Sequence, residues 1–249
     1  MYHFFVEPSQ IDVINKKATV TGSDYNHIKN VLRMKPGEEL SLSNGVDNRE
    51  YRCAVLAYGD DCVDCELRFI KEDNVELTSK IYLFQGLPKS DKMETVIQKA
   101  VELGVYEIIP VAMSRSIVKL DAKKAASRLA RWQQISEAAA KQSKRGIIPK
   151  VCEVMTFKQA IEYANNLSVK LIPYEMADSM SFTKEIISNI KAGESIGFII
   201  GPEGGIDEKE LELALSAGFK QITLGKRILR TETAAMTVMS ILMYHLESD

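Results

Sequence analysis

The chain has 249 residues, of which 45% are hydrophobic and 27% are charged, and its formal net charge is −2. These values are ordinary for a globular protein, and the length can hold one large or two small domains. No stretch approaches about twenty uninterrupted apolar residues, and the start lacks a charged leader before an apolar core, so we expect a cytoplasmic protein with no membrane-spanning segment.

The first part of the chain has the pattern of a small β-rich domain. Short strand-like runs separated by turn residues occupy 18–21, 39–42 and 51–56. A short helix is predicted over 24–34. Several short strands in so few residues indicate a small barrel. The pattern changes at 71–74, so we predict one domain of residues 1–72 and a second of residues 73–249.

Two of the four cysteines, Cys62 and Cys65, form a Cys-x-x-Cys motif. A tetrahedral zinc site needs four ligands, and neither a second cysteine pair nor a nearby histidine follows. The motif also lies in a strand-like stretch, where positions three apart point to opposite faces. We therefore expect no metal site.

Strands and helices alternate in the second domain. The predicted strands are 81–87, 107–112, 195–200 and 221–224, and the predicted helices are 92–103, 125–144 and two that begin near 207 and 231. This alternation favours an α/β domain with a mainly parallel sheet and helices on both faces. Asp207 is a candidate helix cap, and Glu210, three residues later, would complete a capping box.

Positive charge is concentrated in one segment, although the whole chain is slightly acidic. The basic residues of this segment are Arg115, Lys119, Lys123, Lys124, Arg128, Arg131, Lys141, Lys144, Arg145 and Lys150. Asp121 and Glu137 are the acidic residues among them. Such a segment attracts polyanions, but it is also typical of a solvated helix face whose charge is balanced by acidic neighbours in space.

Two loops near the end of the chain indicate a ligand site. Gly-Pro-Glu-Gly-Gly at 201–205 and the segment 224–234 each follow a strand-like run and precede a helix, and such junctions line the ligand crevice of an α/β sheet. Neither a Walker A sequence nor a Gly-x-Gly-x-x-Gly fingerprint is present. Glu203 and Asp207 would repel a phosphate, so a neutral or cationic ligand fits better.

Several blocks of the sequence together resemble one known family. The blocks are 85–94, 98–105, 115–116 with 132–138 and 142–143, 201–205, and 224–234. In this order they are similar to the bacterial small-subunit (16S) ribosomal RNA uridine-N3 methyltransferases, a branch of the SPOUT superfamily that uses S-adenosylmethionine. The resemblance implies a PUA-like β-barrel that binds RNA, followed by a SPOUT domain with a trefoil knot.

The resemblance also implies the residues of the site and the partners. The cofactor would be held by Leu171, Ile172, Pro173, Ile200, Gly201, Pro202, Glu203, Gly204, Leu224, Gly225, Ile228, Leu229, Thr231, Thr233 and Ala234. The candidates for binding RNA are His27, Arg33, Lys89, Lys92, Arg115 and Arg145. The partner would be ribosomal RNA within the small subunit. A homodimer is expected from the superfamily and from the broad apolar stripe of the last helix, which either the domain itself or a second chain must cover.

Arg230 and Glu232 are the candidate catalytic residues. Methylation of N3 of uracil requires loss of the N3 proton, and the resulting negative charge spreads to O2 and O4. A cation directed at those oxygens would stabilise the anion, and Arg230 stands between the cofactor loop and the last helix. Arg230 could instead pair with Glu232 or Glu203. Glu232 could act as a general base or only orient Arg230.

Two other functions remain open from the sequence. The first is a ribose 2′-O-methyltransferase of the same superfamily, which would carry an asparagine- and arginine-bearing block at the start of the catalytic domain. No asparagine occurs between Ile81 and Asn165. The second is a non-catalytic RNA-binding or assembly factor that keeps the fold, and a measurement of cofactor binding distinguishes it from the enzymes.

Overall fold

The structure is a computed structural model, and it describes residues 1–72, 75–175 and 179–247. The chain divides into two compact units: Met1–Glu76 with Ala140–Ile148, and Leu77–Ala139 with Pro149–Asp249. The domain change predicted at 71–74 falls partly on residues 73 and 74, which lie outside the described residues. No helix in the described part of the chain is long and apolar enough to cross a membrane.

The first unit is built on one curled six-stranded sheet. Its strands are β1 (Tyr2–Phe5), β2 (Ile11–Asp12), β3 (Lys17–Thr21), β4 (Glu39–Ser43), β5 (Glu50–Tyr58) and β6 (Cys62–Lys71). Their order is β1-β4-β5-β6-β3-β2, and every pair except the parallel β1–β4 is antiparallel. Two register shifts between β5 and β6 add local twist, and the sheet forms a half-barrel.

Alternation of side chains explains how this sheet makes a core. In β3, Ala18 and Val20 are buried while Lys17 and Thr21 are exposed, as the period of two in a strand requires. A short helix, α1 (Gly22–Asn26), continues as a π-helical turn over His27–Leu32 and packs Ile28 into the same core. The β-rich fold predicted for the first part of the chain is confirmed.

The second unit contains an all-parallel sheet. Its strands are β7 (Lys80–Gly86), β8 (Glu107–Ala112), β9 (Lys150–Val151), β10 (Met155–Thr156), β11 (Val169–Pro173), β12 (Ser195–Ile200) and β13 (Lys220–Ile222). The order is β10-β8-β7-β12-β11-β13, and β9 also pairs with β8. The central strands are nearly continuous apolar runs because helices cover both faces of a parallel sheet. The prediction of a mainly parallel α/β sheet is confirmed.

Within the described residues, six α-helices follow or connect the strands of this sheet. They are α2 (Lys92–Glu102), α3 (Ala122–Ser143), α4 (Phe157–Tyr163), α5 (Met180–Ser188), α6 (Glu208–Ser216) and α7 (Thr231–Leu246). Asp207 caps α6, since its side chain accepts a hydrogen bond from the backbone N–H of Lys209. The predicted capping box is wrong, because the buried carboxylate of Glu210 accepts hydrogen bonds from Ser114 instead.

The apolar stripe of α7 lies in the core of the chain itself. Ala235, Val238, Met239, Leu242 and Leu246 are all buried, and α7 packs against α2. These five residues are therefore covered by the domain itself and not by a second chain. The carboxyl ends of β11, β12 and β13 meet at one edge of the sheet, and the loops that follow them form the site.

Candidate active site

A cavity of about 930 Å³ opens at the carboxyl ends of β11, β12 and β13. The predicted cofactor residues that line it are Pro173, Ile200, Gly201, Pro202, Glu203, Gly204, Leu224, Gly225, Ile228, Leu229, Thr231 and Ala234. Leu171 and Ile172 are completely buried in β11, and Thr233 is exposed on α7, so these three do not contribute to the wall. The structure thus brings together loops that are distant in sequence.

The glycines of this site are required by the packing of the loops themselves. A Cβ atom on Gly201 would lie 2.8 Å from Cγ1 of Ile206, and one on Gly204 would lie 2.9 Å from Cβ of Arg115. Gly225 has a φ of +107°, which side chains of L-residues rarely allow. The sequence pattern predicts that these glycines allow close approach of a ligand. The distances show that the loop could not take its shape with a larger residue at 201 or 204.

Arg230 stands at the N-terminal end of α7 and lines the cavity. Its side chain is exposed, and in the described part of the chain its guanidinium group has no ion-pair or hydrogen-bond partner. The structural pairing with Glu203 or Glu232 that the sequence left open is therefore not formed. An unpaired guanidinium group on the wall of a cavity is available to a negatively charged atom of a ligand.

Glu203 and Glu232 are both close to Lys92 instead. The Lys92 ammonium group donates to Glu203 at 2.9 Å and lies 3.6 Å from Oε2 of Glu232. The backbone N–H of Lys89 also donates to the Glu203 carboxylate, at 3.1 and 3.3 Å. These contacts tie the glycine loop to the start of α2.

Both members of the Lys92–Glu203 pair have shifted pKa values. The hydrogen bond from Lys92 to Glu203 raises the pKa of the lysine, and the charges of both carboxylates add to this. Partial burial raises the pKa of Glu203, but hydrogen bonds from Lys92 and from backbone N–H groups outweigh it and leave the pKa below its ordinary value. The pair therefore stays charged at neutral pH.

Comparisons with known proteins identify the family. A model described as RNA methyltransferase domain matches residues 75–243, and a model described as RNA methyltransferase PUA domain matches residues 20–68. The chain belongs to this RNA methyltransferase family. The resemblance inferred from the sequence is confirmed, and so is the expectation of an enzyme.

Relatives of the chain match over nearly its whole length. Ribosomal RNA small subunit methyltransferase E of Bacillus subtilis (strain 168) is 35% identical over 251 residues, covering 99% of this chain and 98% of its own. A methyltransferase from Legionella pneumophila, solved in complex with bound SAM, is 32% identical, with a TM-score of 0.84 and 96% of each chain covered. Ribosomal RNA small subunit methyltransferase E from Neisseria gonorrhoeae, bound to S-adenosyl methionine, is 31% identical, with a TM-score of 0.81 and 96% and 95% coverage.

The residues predicted to bind RNA differ from one another in exposure and in their partners. His27, Arg33 and Lys89 are exposed. Arg115 also borders the cavity, where its guanidinium group donates to the carbonyl oxygen of Gly204 at 3.4 Å. Lys92 is half-buried and donates a hydrogen bond to Glu203.

Arg145 is placed differently from a surface phosphate contact. It is only 4% exposed, and its guanidinium group donates several hydrogen bonds to the carboxylate of Glu76. The charge that made Arg145 a candidate is thus compensated inside the first unit. A direct contact between Arg145 and RNA is not compatible with this burial.

Sequence reasoning missed part of the cavity wall. Tyr174 and Glu175 follow β11 directly, Thr223 follows β13, and Lys226 and Arg227 belong to the same loop as Leu224 and Gly225. Extending the loops by one or two residues adds Tyr174, Glu175 and Thr223, whereas Lys226 and Arg227 already lie within the predicted loop 224–234. Among residues 1–72, 75–175 and 179–247, no cluster of three or more His, Cys, Asp or Glu side chains could hold a metal ion.

Proposed function

We propose that this enzyme transfers a methyl group from S-adenosylmethionine to N3 of a specific uridine in small-subunit (16S) ribosomal RNA. The observation that carries the proposal is the unpaired guanidinium group of Arg230 on the wall of the cavity formed by the three loops. Membership of the RNA methyltransferase family and the small-subunit relatives support the class of substrate.

The residues of the cavity fit this cofactor. A volume of about 930 Å³ lies within the range of cavities that hold small molecules. Apolar side chains of Ile200, Pro202 and Leu229 and the backbone of the glycine loops suit the adenosine part. Carboxylates and cations both border the cavity, as a zwitterionic ligand requires. Two relatives were solved with this cofactor bound.

Arg230 would act on the charge that develops on the substrate. The cofactor, when bound, supplies a methyl group activated by its sulfonium charge. N3 of uracil would lose its proton to solvent, and the guanidinium group of Arg230 would stabilise the negative charge on O2 or O4. Transfer of the methyl group to N3 would break its bond to sulfur and leave S-adenosylhomocysteine. Glu232 forms no ion pair or hydrogen bond with Arg230 in the described residues, and its carboxylate lies 3.6 Å from the Lys92 ammonium.

RNA would be docked by the first unit and by the basic segment of α3. The PUA model matches residues 20–68, and His27 and Arg33 are exposed on or beside the helix of this unit. Lys119, which precedes α3, and Lys123 and Lys124, which lie in its first turn, are exposed. Each phosphate that these side chains contact would release counterions, so affinity for RNA should fall steeply with salt.

We also infer a homodimer, a trefoil knot in the second unit and a cytoplasmic location, where ribosomal subunits are found. The superfamily resemblance supports the dimer and the knot. Two exposed side chains offer surface that a second chain could cover. They are Ile228, which is 87% exposed beside the cavity, and Tyr244, which is 85% exposed on α7. A fully active monomer in light scattering at assay concentration would rule the dimer out.

The reaction is tested by incubating the enzyme with small ribosomal subunits and labelled S-adenosylmethionine, followed by nucleoside analysis. We expect 3-methyluridine. A methyl group on the ribose would assign the chain to the 2′-O branch of the superfamily. Absence of cofactor binding in calorimetry would instead indicate an assembly factor that keeps only the fold.

A further inference from the structure

Gln85 is a polar side chain in the centre of the second unit's core. It is completely buried at the end of β7, directly after the apolar residues Leu83 and Phe84. A buried amide group is costly unless it forms hydrogen bonds, so its presence in the middle of an apolar sheet requires an explanation. The cavity does not provide one directly, because Gln85 is not part of its wall.

The hydrogen bonds of Gln85 lead to the site. Its Nε2 donates to Oγ1 of Thr231 and to the carbonyl oxygen of Gly86, both at 2.9 Å. The hydroxyl group of Thr231 in turn donates to the carbonyl oxygen of Gly201 at 2.7 Å. This hydrogen-bond chain, Gln85–Thr231–Gly201, joins β7, the start of α7 and the glycine loop after β12.

The acceptors determine the orientation of the amide. Gly201 offers a carbonyl oxygen, which can only accept, so the single hydroxyl proton of Thr231 is committed to it. The oxygen of Thr231 must then accept a hydrogen bond from one N–H of the Gln85 amide, and the carbonyl oxygen of Gly86 accepts one from the other N–H. Both amide protons are thereby used, and Oε1 of Gln85 is left buried without a hydrogen-bond partner within the described residues. Leaving this oxygen unpaired costs free energy, so the amide is oriented by the two hydrogen bonds that it donates.

We propose that Gln85 is a positioning residue, which through Thr231 holds the first carbonyl of the glycine loop and the N-terminal end of α7, where Arg230 is located. Thr231 and Gly201 both line the cavity, and Arg230 directly precedes Thr231. A shift at Gln85 would therefore displace a wall of the cavity and the catalytic cation together. The effect on Arg230 rests on the proposed function, whereas the effect on the shape of the cavity does not depend on it.

The test is a double-mutant cycle between Gln85 and Thr231. Gln85→Met keeps the length of the side chain and removes its donors, and Thr231→Val removes the hydroxyl group at nearly constant volume. We expect each single change to raise the Kd for S-adenosylmethionine about tenfold, the size typical of one buried hydrogen bond. Because both changes break the same hydrogen-bond chain, the Kd of the double variant should not exceed the higher Kd of the two single variants. Thr231→Ser should restore affinity close to that of the wild type.

The matched control is Gln133→Met. Gln133 also makes two hydrogen bonds to backbone, with Pro149 and Val151, but it lies away from the cavity. We expect this variant to lower Tm without changing the Kd or the rate of methyl transfer. Hydrogen exchange of the peptide that contains Gly201 gives a readout that needs no ligand, and it should become faster in Gln85→Met but not in Gln133→Met.

Two results would overturn the proposal. One is a Gln85→Met variant that has a lower Tm but keeps the wild-type Kd, rate of methyl transfer and rate of hydrogen exchange. The other is a cycle in which the two effects multiply, which would mean that the residues act separately. If Gln85→Met does not fold, Gln85→Asn, whose side chain is one methylene shorter, takes its place in the cycle. A product methylated elsewhere than N3 would contradict the proposed function and leave the cycle in cofactor affinity intact.

Discussion

Replacing Arg145 with methionine separates a structural role from a role in RNA binding. In the structure the guanidinium group is 4% exposed, and its Nε lies 3.1 Å from both carboxylate oxygens of Glu76, which is itself nearly buried. The Glu76 carboxylate also accepts from the backbone N–H groups of Gly146 at 3.1 Å and Ile147 at 3.4 Å. The substitution would leave a buried carboxylate without its guanidinium partner.

The magnitude follows from these contacts. Breaking a buried ion pair by removing one partner costs about 3–5 kcal/mol, and the two backbone N–H groups that remain on Glu76 favour the lower end, about 3 kcal/mol. For a protein of this size, such a loss lowers Tm by roughly 10 °C. Removing both charges with Arg145→Met and Glu76→Gln should recover much of this loss, because the glutamine still accepts from the backbone without a buried charge.

Urea unfolding followed by circular dichroism measures the stability, and filter binding measures affinity for small subunits. Lys144→Met is the matched control, since Lys144 is the exposed neighbour of Arg145. We expect Arg145→Met to lower the unfolding midpoint and Lys144→Met to leave it unchanged. An Arg145→Met variant that unfolds like the wild type but binds the subunit weakly would refute the buried pair and restore the phosphate contact.

Four further predictions concern the site and the substrate. Arg230→Ala should lower the rate of methyl incorporation on the order of a hundredfold or more with little change in cofactor affinity, and Arg230→Lys should recover part of it; an unchanged rate would remove Arg230 from the mechanism. Gly201→Val should abolish cofactor binding in calorimetry, because the added side chain meets atoms of the loop itself; a titration like that of the wild type would contradict the cavity assignment. Charge reversal at Lys123 and Lys124 should flatten the salt dependence of RNA binding and leave cofactor affinity unchanged; an unchanged slope would make them part of a solvated helix face. The pKa of Glu203 in the folded protein is below its ordinary value of 4.5, so its ion pair with Lys92 is fully formed above pH 4.5 and is lost as the pH falls through the folded pKa. Cofactor affinity should therefore decrease at pH values below about 4.5, and Glu203→Gln should remove this pH dependence.

Local patterns in the sequence were sufficient for the elements and for the location of the site. The strand at Glu107–Ala112 has the predicted bounds, and the predicted strand and helix bounds around it agree within a few residues. Hydrophobic periodicity carries this information because it depends on neighbours along the chain. The glycine loops were placed at the correct sheet edge for the same reason, since a parallel sheet brings the carboxyl ends of its strands together.

The sequence by itself therefore determined the family, the α/β class, the order of the elements and most of the cavity wall. Only the tertiary structure decided which charged and polar groups meet. Arg145 binds Glu76, 69 residues away in sequence, and Gln85 donates to Thr231, 146 residues away. Arg230, which is close in sequence to Glu232, has no ion pair with it in the described residues. Periodicity shows which face of an element is buried, but the partner of a buried polar group depends on how distant elements pack, and no local pattern records that packing.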